Sequence, residues 1–388
     1  MTPADIGPAR ARREIQARGL ELGTTAFFDQ VAGGEAAVVG LFLDAGMDPD
    51  TTLRGGVTAL ILAAGNGRLD VVRLLLERGA DPRRHAHDGA SPLFTYLVMQ
   101  LRERVGRTEL PSDEDERIWL ELTRALASAG ADLNANVDRQ TPLSAAVLLR
   151  SEPLVAELLR QGATPDAGHD ALVHAAGFAQ GAILSRLLRA GGDPHALDPE
   201  GRPLLFHAVD EGNLEAVDAL LAAGEDPSQR WANDETPLLR AAFRGHEALA
   251  RRLLDAGADI HAKSRHGHSA VSIAYVNRRL DLARLLLERG APAKPWLGLV
   301  LKPSGGNAPG VEVSGVARYG PAEDARLQRG DRLVAIDGHP LGTEEERRTA
   351  LALLRPLEPA RLHVVRGGEP LIVDLRVGVT PGAFVLAD

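Results

Sequence analysis

The chain has 388 residues, 44% hydrophobic but only 4% aromatic, and its 53 acidic against 44 basic side chains leave a net charge of −9. That balance argues against a nucleic-acid binder held by phosphate contacts, and the absence of cysteine excludes disulfides, thiolate metal sites and cysteine nucleophiles. No run reaches transmembrane length, and the opening residues are too charged (Arg10, Arg12, Arg13, Glu14, Arg18) for a secretion signal, so the expectation is a cytoplasmic protein with a core of Leu and Ala.

Residues 1–24 read as a helical cap. From 25 to 292 the sequence keeps a beat written in glycine. Gly46, Gly79, Gly130, Gly162, Gly191, Gly224, Gly257 and Gly290 each close an apolar helical run, at spacings of 33, 51, 32, 29, 33, 33 and 33. Self-similarity at that period marks stacked helical units, not one globular core. Most phrases start 21 residues before their glycine, at Thr25, Thr58, Thr141, Asp170, Pro203, Thr236 and Ser269, and the third starts at Ser91. Thr, Ser or Asp there can cap a helix, and a following Pro suits its first turn. Paired alanines (Ala63 and Ala64, Ala175 and Ala176, Ala241 and Ala242) allow close helix packing, and leucines such as Leu253 fill the layers between units. The closing Gly supplies the left-handed conformation that stops a helix.

Two places break the beat. The third phrase carries an insertion at about residues 98–116. Its acidic run, 113–116, reads as a solvated loop ahead of a helix near Arg117; the other reading is a helix N-terminus favoured by acids. Between Gly162 and Gly191 four residues are missing near 164–169, which predicts a blunt finger and a notch in the edge of the array.

The phrase TPLLRAAFRGH at 236–246, followed by ALARRLLDAGADI at 248–260, closely resembles the ankyrin repeat. The resemblance implies a mainly α solenoid of about eight helix-turn-helix repeats. Such arrays bind a folded partner with their finger tips and the concave face of their first helices. On that face fall His174, Phe178, His207, Arg240, Phe243 and Arg244, with Trp231, Arg265 and His266 on adjoining fingers. Exposed aromatics beside Arg are the usual content of binding hot spots. The histidines have no converging third and fourth ligand, so no metal is expected.

After Gly290 the grammar changes. A short linker with two prolines, residues 291–295, is expected to hold the two modules in a fixed geometry. Period-2 alternation then predicts strands over 296–301, 311–316, 332–337, 361–365 and 371–377, and a capping box at Thr343 and Glu346 predicts one helix. The segments WLGLVL at 296–301 and GPAEDARLQRGDRLVAIDG at 320–338 resemble a bacterial PDZ domain, over roughly 295–378. Arg326 stands where the family often has Gly, and Trp296 where many members have the first Gly of their loop. The resemblance implies that residues 293–388 form a small α+β, partly open barrel that captures a peptide C-terminus or edge strand by strand addition. The amides of Leu297, Gly298 and Leu299 would hold the carboxylate, and Trp296, Leu301, Leu351 and Leu354 would complete the site. The last residue, Asp388, argues against the tail binding its own groove, because the family prefers an apolar terminus.

No nucleophile elbow, zinc-protease motif or phosphate loop is present. The expectation is therefore a non-enzymatic monomer, without cofactor or metal, that binds proteins and peptide C-termini but neither nucleic acid nor membrane. An adaptor or scaffold fits best. The alternatives are a regulator or substrate adaptor of a protease or secretion machine, and an immunity or antitoxin-type inhibitor.

Overall fold

The computed structural model describes residues 7–104, 111–165, 170–178, 180–303 and 309–381. Part of the predicted insertion, the blunt finger and the C-terminal tail lie outside the described residues. Contacts divide the chain into two compact units, Met1–Glu225 and Asp226–Asp388.

In the first unit, α1 (Pro8–Ala17) precedes six helix pairs among the described residues. They are α2 (Thr24–Gly33) with α3 (Ala36–Asp44), α4 (Ala59–Gly65) with α5 (Leu69–Glu77), α6 (Pro92–Glu103) with α7 (Asp113–Ser128), α8 (Pro142–Leu148) with α9 (Glu152–Arg160), α10 (Asp170–Gly177) with α11 (Gly181–Arg189), and α12 (Leu204–Asp210) with α13 (Leu214–Ala222). The caps follow the sequence. The hydroxyls of Thr58, Ser91 and Thr141 accept the amides of Ile61, Phe94 and Ser144. Thr25 departs from the pattern, since α2 begins at Thr24 behind Gly23 and has no side-chain cap. The α1 cap buries Ala11 and Ile15, and Arg12 donates to the carbonyl of Ala45, 3.2 Å away.

Across the whole chain the eight closing glycines have φ between +87° and +101°, the left-handed region. The acid two residues later does more than turn the chain. Asp48, Asp81, Asp132, Asp193, Asp226 and Asp259 each accept the amide two positions on, at 2.8–2.9 Å. Each is an Asx turn that shapes the base of a finger.

The acidic run of the insertion is a helix start and not a solvated loop. α7 begins at Asp113, ahead of the expected Arg117, beneath a capping box of Ser112 and Asp115. Asp113, Glu114, Asp115 and Glu116 occupy its first turn, where unpaired amides favour negative charge. Trp119 on this helix is 1% exposed and donates its indole N–H to Gln100 on α6 at 3.3 Å.

The second unit contains α14 (Pro237–Arg244) with α15 (Glu247–Asp255) and α16 (Ala270–Val276) with α17 (Leu280–Glu288), followed by β1 (Pro295–Trp296), β2 (Leu299–Pro303), β3 (Val311–Val316), α18 (Pro321–Asp324), β4 (Arg332–Ile336), β5 (His339–Pro340), α19 (Glu344–Leu353), β6 (Pro359–Arg366), β7 (Glu369–Arg376) and β8 (Gly378–Val379). Thr236 and Ser269 cap α14 and α16, and Leu253 on α15 is fully buried. The main sheet runs β2-β3-β4-β6-β7, with β5 on β4 and every pairing antiparallel; β1 pairs with β8. The sheet is open and closes no barrel. The strand expected over 296–301 is two strands, because Gly298 at φ +72° bends the chain between β1 and β2. α18, β5 and β8 are too short to show a period, so alternation alone did not predict them.

Candidate functional site

The sheet domain offers an open edge. β2 pairs with β3 on one side and with no other strand among the described residues. β2 and α19 rest on one apolar cluster, through Leu299 and Leu301 on the strand side and Ala350 and Leu354 on the helix side. Just before β2, the carbonyls of Leu297 and Gly298 accept the amides of Ala322 and Ala317 at 3.1 and 2.8 Å. Those bonds fix the peptide planes that carry the Gly298 and Leu299 amides. The amides of Leu297 and Gly298 have no hydrogen-bond partner among the described residues. A carboxylate oxygen is the natural acceptor for such a pair.

Gly298 is required twice over. Its φ is left-handed, and a Cβ there would lie 3.3 Å from both Gly320 Cα and Pro321 Cδ. The predicted wall residues divide between core and surface. Leu297 and Leu354 are 6% and 7% exposed and belong to the core cluster, so their side chains offer little surface to a ligand. Leu299 and Leu301 are half-buried against that cluster. Leu351 on α19 is exposed. Val300 and Leu353, which the sequence reading missed, are exposed apolar side chains on the same strand and helix. The alternation of β2 could have found Val300. The position of Leu353 on α19 depends on how the helix sits on the sheet.

The carboxylate loop is braced from behind. Trp296 packs against Gly320, where an added Cβ would come within 3.1 Å of the indole. Pro321 backs Gly298 and also meets Gly378, and Tyr275 of α16 closes on the same glycine. Arg278, just beyond α16, pairs with Asp324 of α18 at 3.2 Å. Burial pushes the Tyr275 phenol above its usual pKa, and nearby Asp324 adds to the shift. A Cβ on Gly378 would sit 2.6 Å from Tyr275 Oη and 2.8 Å from Pro321 Cγ. Gly378→Val is therefore expected to cost about 1–3 kcal/mol by overpacking, read by chemical denaturation. Combined with Tyr275→Ala it should cost less than the two single changes added; strict additivity would show that the contact is not tight.

The helix-face residues fall in both units. In the first, the rings of His174 and Phe178 are 5.8 Å apart, and Phe178 is 54% exposed. Burial lowers the pKa of His174, with Asp170 opposing, so the imidazole beside Phe178 is neutral near pH 7. His207 is already engaged: its Nε2 lies 2.8 Å from Asp198, and little of the ring is left for a partner. In the second unit, Arg240 stacks over Phe243 at 5.5 Å, and Phe243 is 51% exposed. Arg244, Arg265 and His266 are exposed, whereas Trp231 is half-buried and its amide bonds to the Glu235 carbonyl. Among the described residues no group of three or more His, Cys, Asp or Glu could hold a metal ion, and no helix is long and apolar enough to cross a membrane.

The family models change from one kind to the other at residue 295, inside the second unit. Models of ankyrin repeats match residues 43–93, 172–264 and 205–295, and a model of the PDZ domain matches residues 295–377. No curated protein matches the chain.

Proposed function

The chain is an ankyrin-repeat protein with a C-terminal PDZ domain, and from that premise we propose that it is an adaptor whose PDZ groove captures a peptide C-terminus while its repeats hold a folded partner. Both kinds of module are protein-interaction modules. The observation that carries the reading is the open edge of β2 beside a loop whose Leu297 and Gly298 amides are unengaged. An extended peptide adds to β2 as a further strand, its carboxylate seated on those amides. Its side chains meet the exposed Leu351, Leu353 and Val300. The repeats contribute His174 with Phe178 in one unit and Arg240 with Phe243 in the other, aromatic anchors of the kind that dominate protein interfaces.

A change at Gly298 would strain the loop as well as block a ligand, so the cleaner test alters the peptide. Peptides selected from a library with free C-termini are titrated calorimetrically into the full chain, with and without C-terminal amidation. Amidation is expected to weaken binding at least tenfold, and Leu351→Glu, at an exposed position, to weaken it without altering thermal stability. Equal affinity of the acid and amide forms would remove the carboxylate loop from the account. For the repeats, Phe178→Asp with Phe243→Asp should release a partner recovered by the full chain, and its retention would put that partner elsewhere.

A further inference from the structure

Within the second unit, a cleft of about 830 Å³ lies between the faces of α14 and α16 and the sheet domain. Its apolar lining comes from both sides: Phe243, Ile273 and Val276 from the helices, and Tyr319 from the segment before α18. Phe243, Val276 and Tyr319 are 51%, 59% and 81% exposed, so three large apolar side chains face open space together. A volume of this size suits a small ligand or a few residues of extended chain. It is far too small for a folded domain.

The charges in the wall are unequal in what they have left to give. Asp324 is paired with Arg278 at 3.2 Å, Asp374 with Arg361 at 2.8 Å, and Glu235 with Arg240 at 3.7 Å. Arg318 and Arg376, which line the same cleft, form no ion pair among the described residues. The acids of the wall are thus largely neutralised while two guanidinium groups stay available. A ligand that complements the cleft has a large apolar body and a carboxylate beside it.

We propose that this cleft is a second peptide site, separate from the β2 groove, which takes a segment of a partner protein in which a large apolar side chain is followed by Asp or Glu. The apolar side chain fills the space between Phe243, Val276 and Tyr319, and the acid meets Arg318 and Arg376. The site goes beyond the groove reading and does not depend on it, because it needs no chain terminus. Trp296 and Pro321 line the cleft and also brace the carboxylate loop. A partner offering both a terminus and an apolar-acidic segment would therefore engage neighbouring surfaces and gain in effective concentration.

The test uses a phage library of random heptapeptides whose C-termini are fused to the coat protein, so that the carboxylate loop of the PDZ groove has nothing to hold. Selection on the full chain is expected to enrich peptides in which Phe, Leu, Ile or Trp is followed within two positions by Asp or Glu. Synthetic versions, acetylated and amidated, should lose at least tenfold in affinity to the Arg318→Glu, Arg376→Glu double variant. They should lose a similar factor to Phe243→Ala and weaken as salt is raised. Both arginines are exposed, so the double variant should keep the thermal stability of the parent. No enrichment, enrichment without an acid, or affinity indifferent to the arginine changes would each overturn the proposal. If a chain shortened to residue 381 bound the same peptides at least tenfold more tightly, the chain's own C-terminal segment would be the occupant, and the partner assignment would be wrong. Failure here leaves the groove reading untouched, since that one stands on the difference between acid and amide peptides.

Discussion

Trp119→Ala is expected to destabilise the first unit by about 3–5 kcal/mol, the range for truncating a fully buried large aromatic side chain. The indole is 1% exposed, and the helix that carries it packs on α5, α6 and α9. In a repeat array each unit is stabilised chiefly by its neighbours, so a void at this layer weakens contacts on both sides of it. The hydrogen bond to Gln100 is the smaller part. Gln100→Ala should cost about 1–3 kcal/mol, because it leaves the buried indole N–H without its partner. Urea denaturation followed by far-ultraviolet circular dichroism reads both variants. A loss below about 1 kcal/mol for Trp119→Ala would mean that the insertion is only loosely attached to the array.

Much of this fold was legible because its punctuation is stereochemical. A left-handed residue is needed where each second helix stops, glycine meets that need at the lowest cost, and the position therefore stands out in the sequence. The caps at Thr58, Ser91, Thr141, Thr236 and Ser269 were legible for a similar reason, since a hydroxyl answers a definite set of unpaired amides. The acidic run at 113–116 misled because the same residues suit a solvated loop and a helix N-terminus. The position of Ser112, three residues before Asp115, was the signal that separates the two. At the groove, leucine alone does not tell wall from core. Leu297 and Leu354 are core because the chain bends at Gly298 and because it turns extended at Leu354, just past the end of α19, and neither fact is legible from the leucine itself. The cleft was illegible altogether. Arg318 and Arg376 are far apart in sequence and come to line one cleft only when β7 and the segment before α18 are brought to the face of α16.

Asp331 carries the other large effect. It is 1% exposed, and its carboxylate takes two guanidinium hydrogen bonds from Arg366, at 2.7 and 2.8 Å, and the amide of Gln328 at 2.9 Å. Arg366 also donates to the carbonyl of Arg326 at 3.0 Å. That contact bears on a departure visible in the sequence, because Arg326 holds the left-handed φ of +58° at the position where the family often has Gly. Asp331 thus anchors a turn, a strand and a strained residue at once. Asp331→Ala is expected to cost the sheet domain about 3 kcal/mol, at the low end of the range for breaking a buried pair, because Arg366 keeps partial access to water. Arg326→Gly should move stability by less than about 1 kcal/mol, since relief of the left-handed strain is offset by the greater freedom of glycine in the unfolded chain. The pH dependence follows from the same geometry. Arg366 holds the Asp331 carboxyl below its usual pKa, so the folded state binds a proton less readily than the unfolded state. The stabilisation is fully present above the ordinary carboxylate range and is lost as pH falls through the lowered folded value. Thermal unfolding from pH 7 down to pH 3 should accordingly show a smaller acid loss in Asp331→Asn than in the parent chain, with the variant less stable at neutral pH. Identical acid profiles would mean that other carboxylates set the acid limit and that Asp331 contributes through its hydrogen-bond geometry alone.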